Sequence, residues 1–425
     1  HHFGAHPDRF QALVLGLIKA VVEEGLVAPP LTQRAPAFVK ATGDAVKALA
    51  WPVIEQQTGT TSASLKDAAR AFAKTAKAVI LVGQGVLRQP GGAGLMTTLL
   101  DLLVLTGHHG LAGCGVAPLA EENNDQGAIE MGAVAEYLPG PAELGDPAAR
   151  QRLAQLWKEE VPQTPGRTLL EMLDEARTGT IKAMFIVGEN PAGSLPPSAK
   201  ANDALGKLDL LVCQELFLTE TAALAHVVLP ACSYAEKDGT FTNTEGHVQP
   251  VRHAIEPLGE SRPDWEILSA LSVLMGAPLE YGDAKESTIE IRSLLPGHGL
   301  LGAGPKPPRP DDAVVSRYLQ QGYADDLGER YRLTASGLRA RGSGQEETFT
   351  LLMQQSLFHS GKYSTRAKGL LQIQSTGALA VHSTDAGRLG LTDGSQVRLS
   401  TQQGQVTTTV KLLDRIPEGL AVFPE

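Results

Sequence analysis

The chain has 425 residues, too many for a single hydrophobic core, so about three domains are expected. Its 37 basic and 47 acidic residues leave a net charge of −10, which argues against a nucleic-acid backbone or an anionic membrane surface as partner. No stretch reaches the ~18 consecutive apolar residues of a membrane span, and Leu13–Val22 and Leu95–Leu105 read as core helices.

Taken in chain order, the start HHFGAHPD lacks a methionine and reads as the end of a tag or as a segment of a longer protein. Pro7–Glu24 has apolar residues at helical spacing, and Leu65–Ala76 repeats the pattern. Ala78–Val82 (AVILV) reads as a strand, followed by the turn Gly83-Gln-Gly85 and a helix at Gly94–Leu105. That strand–turn–helix unit recurs at Met184–Val187 followed by Gly188-Glu189-Asn190-Pro191, with a helix before it at Thr168–Arg177. Leu208–Cys213 and Val227–Pro230 (VVLP) read as further strands, the latter ending an apolar run, Ala222–Pro230 (AALAHVVLP), that reads as a buried strand closed by proline, with a softer helical pattern over Thr219–Ala225. Residues 78–276 thus read as parallel, doubly wound α/β material, in which ligands gather beyond the carboxyl ends of the strands.

Residues 277–346 are rich in glycine and proline and read as a connecting region with one weak helix at Asp311–Gln320. In the last eighty or so residues the period changes to strand alternation, Val397 and Leu399 and then Val406, Thr408, Val410 and Leu412 around Gln402-Gln403-Gly404, which predicts a small closed β-barrel over 347–425. The whole chain has 45 glycines and 27 prolines, about one residue in six against a usual one in eight, so many shaped turns are expected.

The polar clusters fall between these elements. AEKDGTFTNTEGHVQPVR (Ala235–Arg252) packs hydroxyls, amides and glycines behind a strand, where they either line a polar-ligand site or satisfy one another. Glu236, Asp238 and Glu245 are acid/base candidates, but their spacing sets no geometry. GQGVLRQPGGAG (Gly83–Gly94) has the wrong glycine spacing for a dinucleotide fingerprint and reads as a tight turn. His359, Ser364, Thr365 and Arg366 belong to HSGKYSTR, whose cations and hydroxyls suit a phosphate. His108-His109 has no ligand-spaced partners, and His226 and His253 read as core or interface histidines. Cys114, Cys213 and Cys232 form no C-x-x-C pair; they read as small buried residues in a reducing compartment and are too few to hold an iron–sulfur cluster alone.

Set side by side, GENP (188–191), LFLTETAALAHVVLPA (216–231), EKDGTFTNTEGHVQPVR (236–252), ESRPDWEIL (260–268), NNDQGAIEMG (123–132) and DAGRLGLTDGSQVRLST (385–401) resemble the molybdopterin oxidoreductase family in order and spacing. The resemblance implies parallel-sheet α/β domains at 1–170 and 171–276, the latter crossing into a small central domain, then 277–346 as connection and 347–425 as a double-psi β-barrel of the pterin-dinucleotide-binding kind. It implies that Gly188, Glu189, Asn190, Pro191, Asp238, Thr240, Thr242, Asn243, His359, Ser364, Thr365 and Arg366 line a pterin or descend from residues that did.

Two branches fit. The family's catalytic members usually read T-N-x-E-R-R-V where this chain has Thr242-Asn-Thr-Glu-Gly246-His247-Val248, and G-Q-N-N-V-Q-G where it has Glu121–Gly127. Those departures, with LFHSGKYSTRAKGLLQI, resemble the large G subunit of the NADH–quinone oxidoreductase (respiratory complex I), which implies a non-catalytic scaffold. Its partners would be the other peripheral-arm subunits and its own N-terminal cluster-bearing part, on the cytoplasmic side of the bacterial inner membrane, with no cofactor in this segment, no nucleic acid and no membrane insertion. The alternative is a molybdenum or tungsten formate dehydrogenase holding molybdopterin guanine dinucleotide. In either branch the iron–sulfur clusters are expected in an N-terminal part, and no residue here is expected to be catalytic or to bind metal.

Overall fold

The structure, a computed structural model, describes residue 3 and residues 9–87, 91–119, 122–140, 142–279, 281–295, 349–354, 363–373, 377–401 and 404–424. These fall in two compact units: one within His1–Glu121, Lys306–Leu399 and Val406–Glu425, the other within Glu122–Pro305 and Ser400–Gln405. Residues 122–170, grouped with the first α/β domain by the sequence, sit in the second unit, where Asn124 bonds to the 239–251 hairpin and Trp157, at the end of the helix Pro147–Trp157, to Glu290. The helix expected at Asp311–Gln320 and most of the connecting region lie outside the described residues; within it, Ala284–Leu294 is helical.

The first unit is built around the helix Phe10–Glu23, which is apolar on nearly every side and therefore buried. The helices Pro36–Lys47, Trp51–Thr58, Ser62–Lys74 and Gly92–Leu105 surround it, and Leu15, Ile18, Val21, Phe38, Val46, Leu102 and Leu105 form the core. A Cβ on Gly16 would lie 2.9 Å from Leu65 and 3.1 Å from Ile54, so glycine lets these helices approach closely. Strand β1 (Val79–Val82) pairs in parallel with β2 (Gly115–Pro118), a strand its own glycine and proline hide from sequence reading.

In the second unit a short hairpin, β3 (Tyr137–Leu138) with β4 (Ala142–Glu143), precedes a parallel sheet in the order β5 (Ala183–Val187), β6 (Leu210–Glu215), β7 (Val227–Pro230). The capping box Thr168/Glu171 starts the helix Leu169–Thr178, and Gly179 at φ +81 ends it. This helix and Ala201–Leu205 cover one sheet face through Leu173, Ala176, Ala204, Leu205 and Leu211. The run Ala222–Pro230 is not one buried strand: the helical pattern expected over Thr219–Ala225 forms the helix Glu220–Leu224, capped by Thr219, and Val227–Pro230 forms the expected strand, with Val227 and Val228 exposed rather than buried. An antiparallel hairpin, β8 (Gly239–Thr242) with β9 (Val248–Val251), follows.

The C-terminal part of the first unit is β-rich, as the alternation predicts, and of the double-psi-barrel-like class. Strands β10 (Thr350–Gln354), β11 (Ala378–Val381), β12 (Gln396–Thr401), β13 (Gly404–Leu412) and β14 (Leu420–Pro424) lie in the order β10-β14-β11-β13-β12, mixing parallel and antiparallel pairs. Asp385, fully buried, pairs with Arg388 and accepts from Gly419 N–H (2.7 Å), which ties the DAGRLG motif to the turn before β14.

Candidate functional site

The parallel register places the carboxyl ends of β5, β6 and β7 side by side, Val187 against Gln214 and Glu215 against Pro230. The chain leaves β5 through Gly188 at φ +65, a backbone region L side chains avoid, and Gly188 N–H donates to Gln214 O (2.9 Å). Asn190 is the keystone of the turn. Its Oδ1 accepts from Thr221 N–H (3.0 Å) and Thr221 Oγ1 (2.9 Å), and its Nδ2 donates to Glu220 Oε2 (2.8 Å). Asn190 N–H donates to Glu189 Oε2 (2.7 Å), and Thr221 Oγ1 accepts from Ala192 N–H (3.0 Å). A Cβ on Gly193 would lie 2.5 Å from Asn190 Nδ2 and 2.6 Å from Glu220 Oε2, so glycine there leaves room for the bridge.

Gln214 and Glu215 close β6 in full burial. Gln214 Nε2 donates to Asp264 Oδ1 (2.7 Å), Asp264 pairs with Lys237, and Gln214 Oε1 meets no hydrogen-bond partner among the described residues. Arg262 N–H donates to Pro230 O (3.1 Å) and Arg262 O accepts from Cys232 N–H (3.0 Å), so the ESRPDW segment extends the end of β7 and sets Asp264 at the start of the helix Asp264–Leu274.

The TFTNTEG stretch is the β8–β9 hairpin and its turn. Asn243 Oδ1 accepts from Glu245 N–H (3.0 Å) and His247 N–H (2.9 Å), and Gly246 takes φ +77. Thr242 N–H donates to Asn124 Oδ1 (2.8 Å), and a Cβ on Gly127 would lie 2.2 Å from that oxygen, so the NNDQG and TFTN motifs meet through a contact only glycine permits. Asp238 Oδ1 accepts from His253 N–H (3.0 Å) with His253 Nδ1 at 3.3 Å, and these bonds hold its carboxyl below the usual aspartate range. Glu236, which accepts from Ser233 N–H (2.8 Å) and Leu258 N–H (2.9 Å), is likewise held low, foremost by the Ser233 bond.

Of the residues singled out by sequence, Gly188–Pro191 and Asp238, Thr240, Thr242 and Asn243 are in the second unit; the link between the two groups runs from Gly188 through Gln214 and Asp264 to Lys237. Thr240 is a half-buried position of β8 opposite Pro250. Ser364, Thr365 and Arg366 form a short 3-10 turn in the first unit, ahead of the helix Lys368–Ile373, while His359 lies outside the described residues. Sequence reasoning missed Asn124, Gln214, Glu215, Glu220, Thr221 and Asp264, although the quoted motifs or their edges contain all of them. His226 is exposed and not a core histidine, although its Nδ1 accepts from Leu211 N–H (2.9 Å). His253 is exposed and bonded to Asp238, and His108 is buried between Thr106 and the Thr75 carbonyl. Burial, with the nearby Glu215, pushes the Cys213 thiol up, and burial also raises Cys232, so neither is a poised nucleophile. Gly91 at φ +86, and Gly92, whose Cβ would lie 2.1 Å from Leu87 O, shape the glycine-rich turn after β1.

No helix among the described residues is long and apolar enough to cross a membrane. Over 426 residues the chain is 30% identical to the NADPH-Fe(3+) oxidoreductase subunit alpha of Geobacter sulfurreducens, a match covering 100% of this chain and 47% of the relative. It is 30% identical to the F420-dependent formate dehydrogenase subunit alpha of Methanocaldococcus jannaschii (98% of this chain, 64% of the relative) and 29% identical to formate dehydrogenase H of Escherichia coli (86% and 53%). The chain therefore spans between about half and under two thirds of the length of these curated relatives. Acetylene hydratase from Pelobacter acetylenicus shares the fold, with a TM-score of 0.66, 18% identity and coverage of 98% of this chain and 63% of that one. The Molydopterin dinucleotide binding domain matches residues 352–425. The Molybdopterin oxidoreductase model takes in residues 1–273, among them the strand-end turns and the hairpin, and the chain belongs to the molybdopterin oxidoreductase family.

Proposed function

We propose that the chain is the dinucleotide-holding portion of a molybdenum or tungsten pterin oxidoreductase of the formate dehydrogenase kind. The observation that carries this reading is the pairing, in one chain, of the family's oxidoreductase region with its dinucleotide-binding domain, alongside relatives named as formate dehydrogenases. The residues present fit the nucleoside part of such a cofactor. Glu215 and Gln214 end β6, and Gln214 Oε1 is a buried acceptor without a donor among the described residues, the complement of ribose hydroxyls or an amino-bearing base. Glu189 and Glu220 make the strand-end turn acidic, which suits a neutral nucleoside and not a diphosphate. When bound, the metal–pterin group would supply two-electron redox chemistry. This chain's residues would orient its nucleotide ends and exclude water from them.

A second reading, the non-catalytic scaffold of the complex I G subunit, has its own observation in favour. Asn190, Asn243 and Asp238 spend their side-chain oxygens within the protein, and Gly246 at φ +77 disfavours an arginine in that turn. Its partners would then be the peripheral-arm subunits. The two readings part on catalysis by the native, full-length protein. Formate-dependent reduction of a viologen dye is expected from the first. A protein that purifies with NADH–quinone oxidoreductase activity and is inert to formate would replace the first with the second.

A further inference from the structure

We draw no further inference here: the strongest candidate, the exposed apolar patch of Val273, Leu274 and Met275 at the end of the helix Asp264–Leu274, is an unpartnered face, and nothing in the structure shows what covers it.

Discussion

At the scale of single residues, the polar side chains behind the strands act first as architecture. Asn190 meets Thr221 and Glu220 with every group it has, so Asn190→Ala strands the Thr221 donors and frees the turn. The expected cost is about 1–3 kcal/mol in urea unfolding, and an unchanged midpoint would contradict the keystone role. Glu236 is held below the ordinary carboxylate range by Ser233 and Leu258 N–H groups. Its contribution is therefore fully present above that range and lost as the pH falls through the lowered value. Glu236→Gln should flatten the stability–pH curve below the ordinary glutamate range, while leaving the neutral limb parallel to that of the parent. The role of Asn190 could not be read from spacing, whereas Ser233 and Glu236 form an S-x-x-E capping box that spacing does carry. The partner of Thr242 is Asn124, 118 residues away, and only folding brings them together.

At the scale of elements, the legible parts were those whose period is unmistakable and whose ends carry glycine or proline: the strand before Gly188, the helix closed by Gly179, and the β12–β13 alternation. Helices of low amphipathicity such as Asp264–Leu274 escaped, as did β2, while the mixed run Ala222–Pro230 carried both a helical and a strand signal and resolves into the capped helix Glu220–Leu224 and the strand Val227–Pro230. Strand composition was legible and strand environment was not. The apolar residues of β5 and β6 are alike in sequence, yet Leu211 is buried and Phe185 is half out. Leu211→Ala should cost about 2–5 kcal/mol, and Phe185→Ala much less; equal losses would contradict this difference in burial. The hairpin turn makes a separate claim. With Gly246 at φ +77, Gly246→Arg should cost about 1–2 kcal/mol by thermal unfolding, and a neutral effect would show that the turn accommodates the arginine usual in catalytic members.

At the scale of the molecule, the family signature runs through both ends of the chain and was legible because motif order survives where pairwise geometry does not. The branch within the family was harder to read. Gly246 and Glu121 turned the sequence toward a scaffold, while the relatives at 29–30% identity carry names of redox enzymes and formate dehydrogenases. A glycine in a turn reports backbone conformation as much as a lost ligand, and so it is a weak witness to the loss of a cofactor. The most direct test is elemental analysis of the native, full-length protein for molybdenum and tungsten, with assay of released pterin. The account predicts one of the two metals together with pterin dinucleotide. Neither metal nor pterin in a fully folded protein would contradict it and leave the scaffold reading in its place.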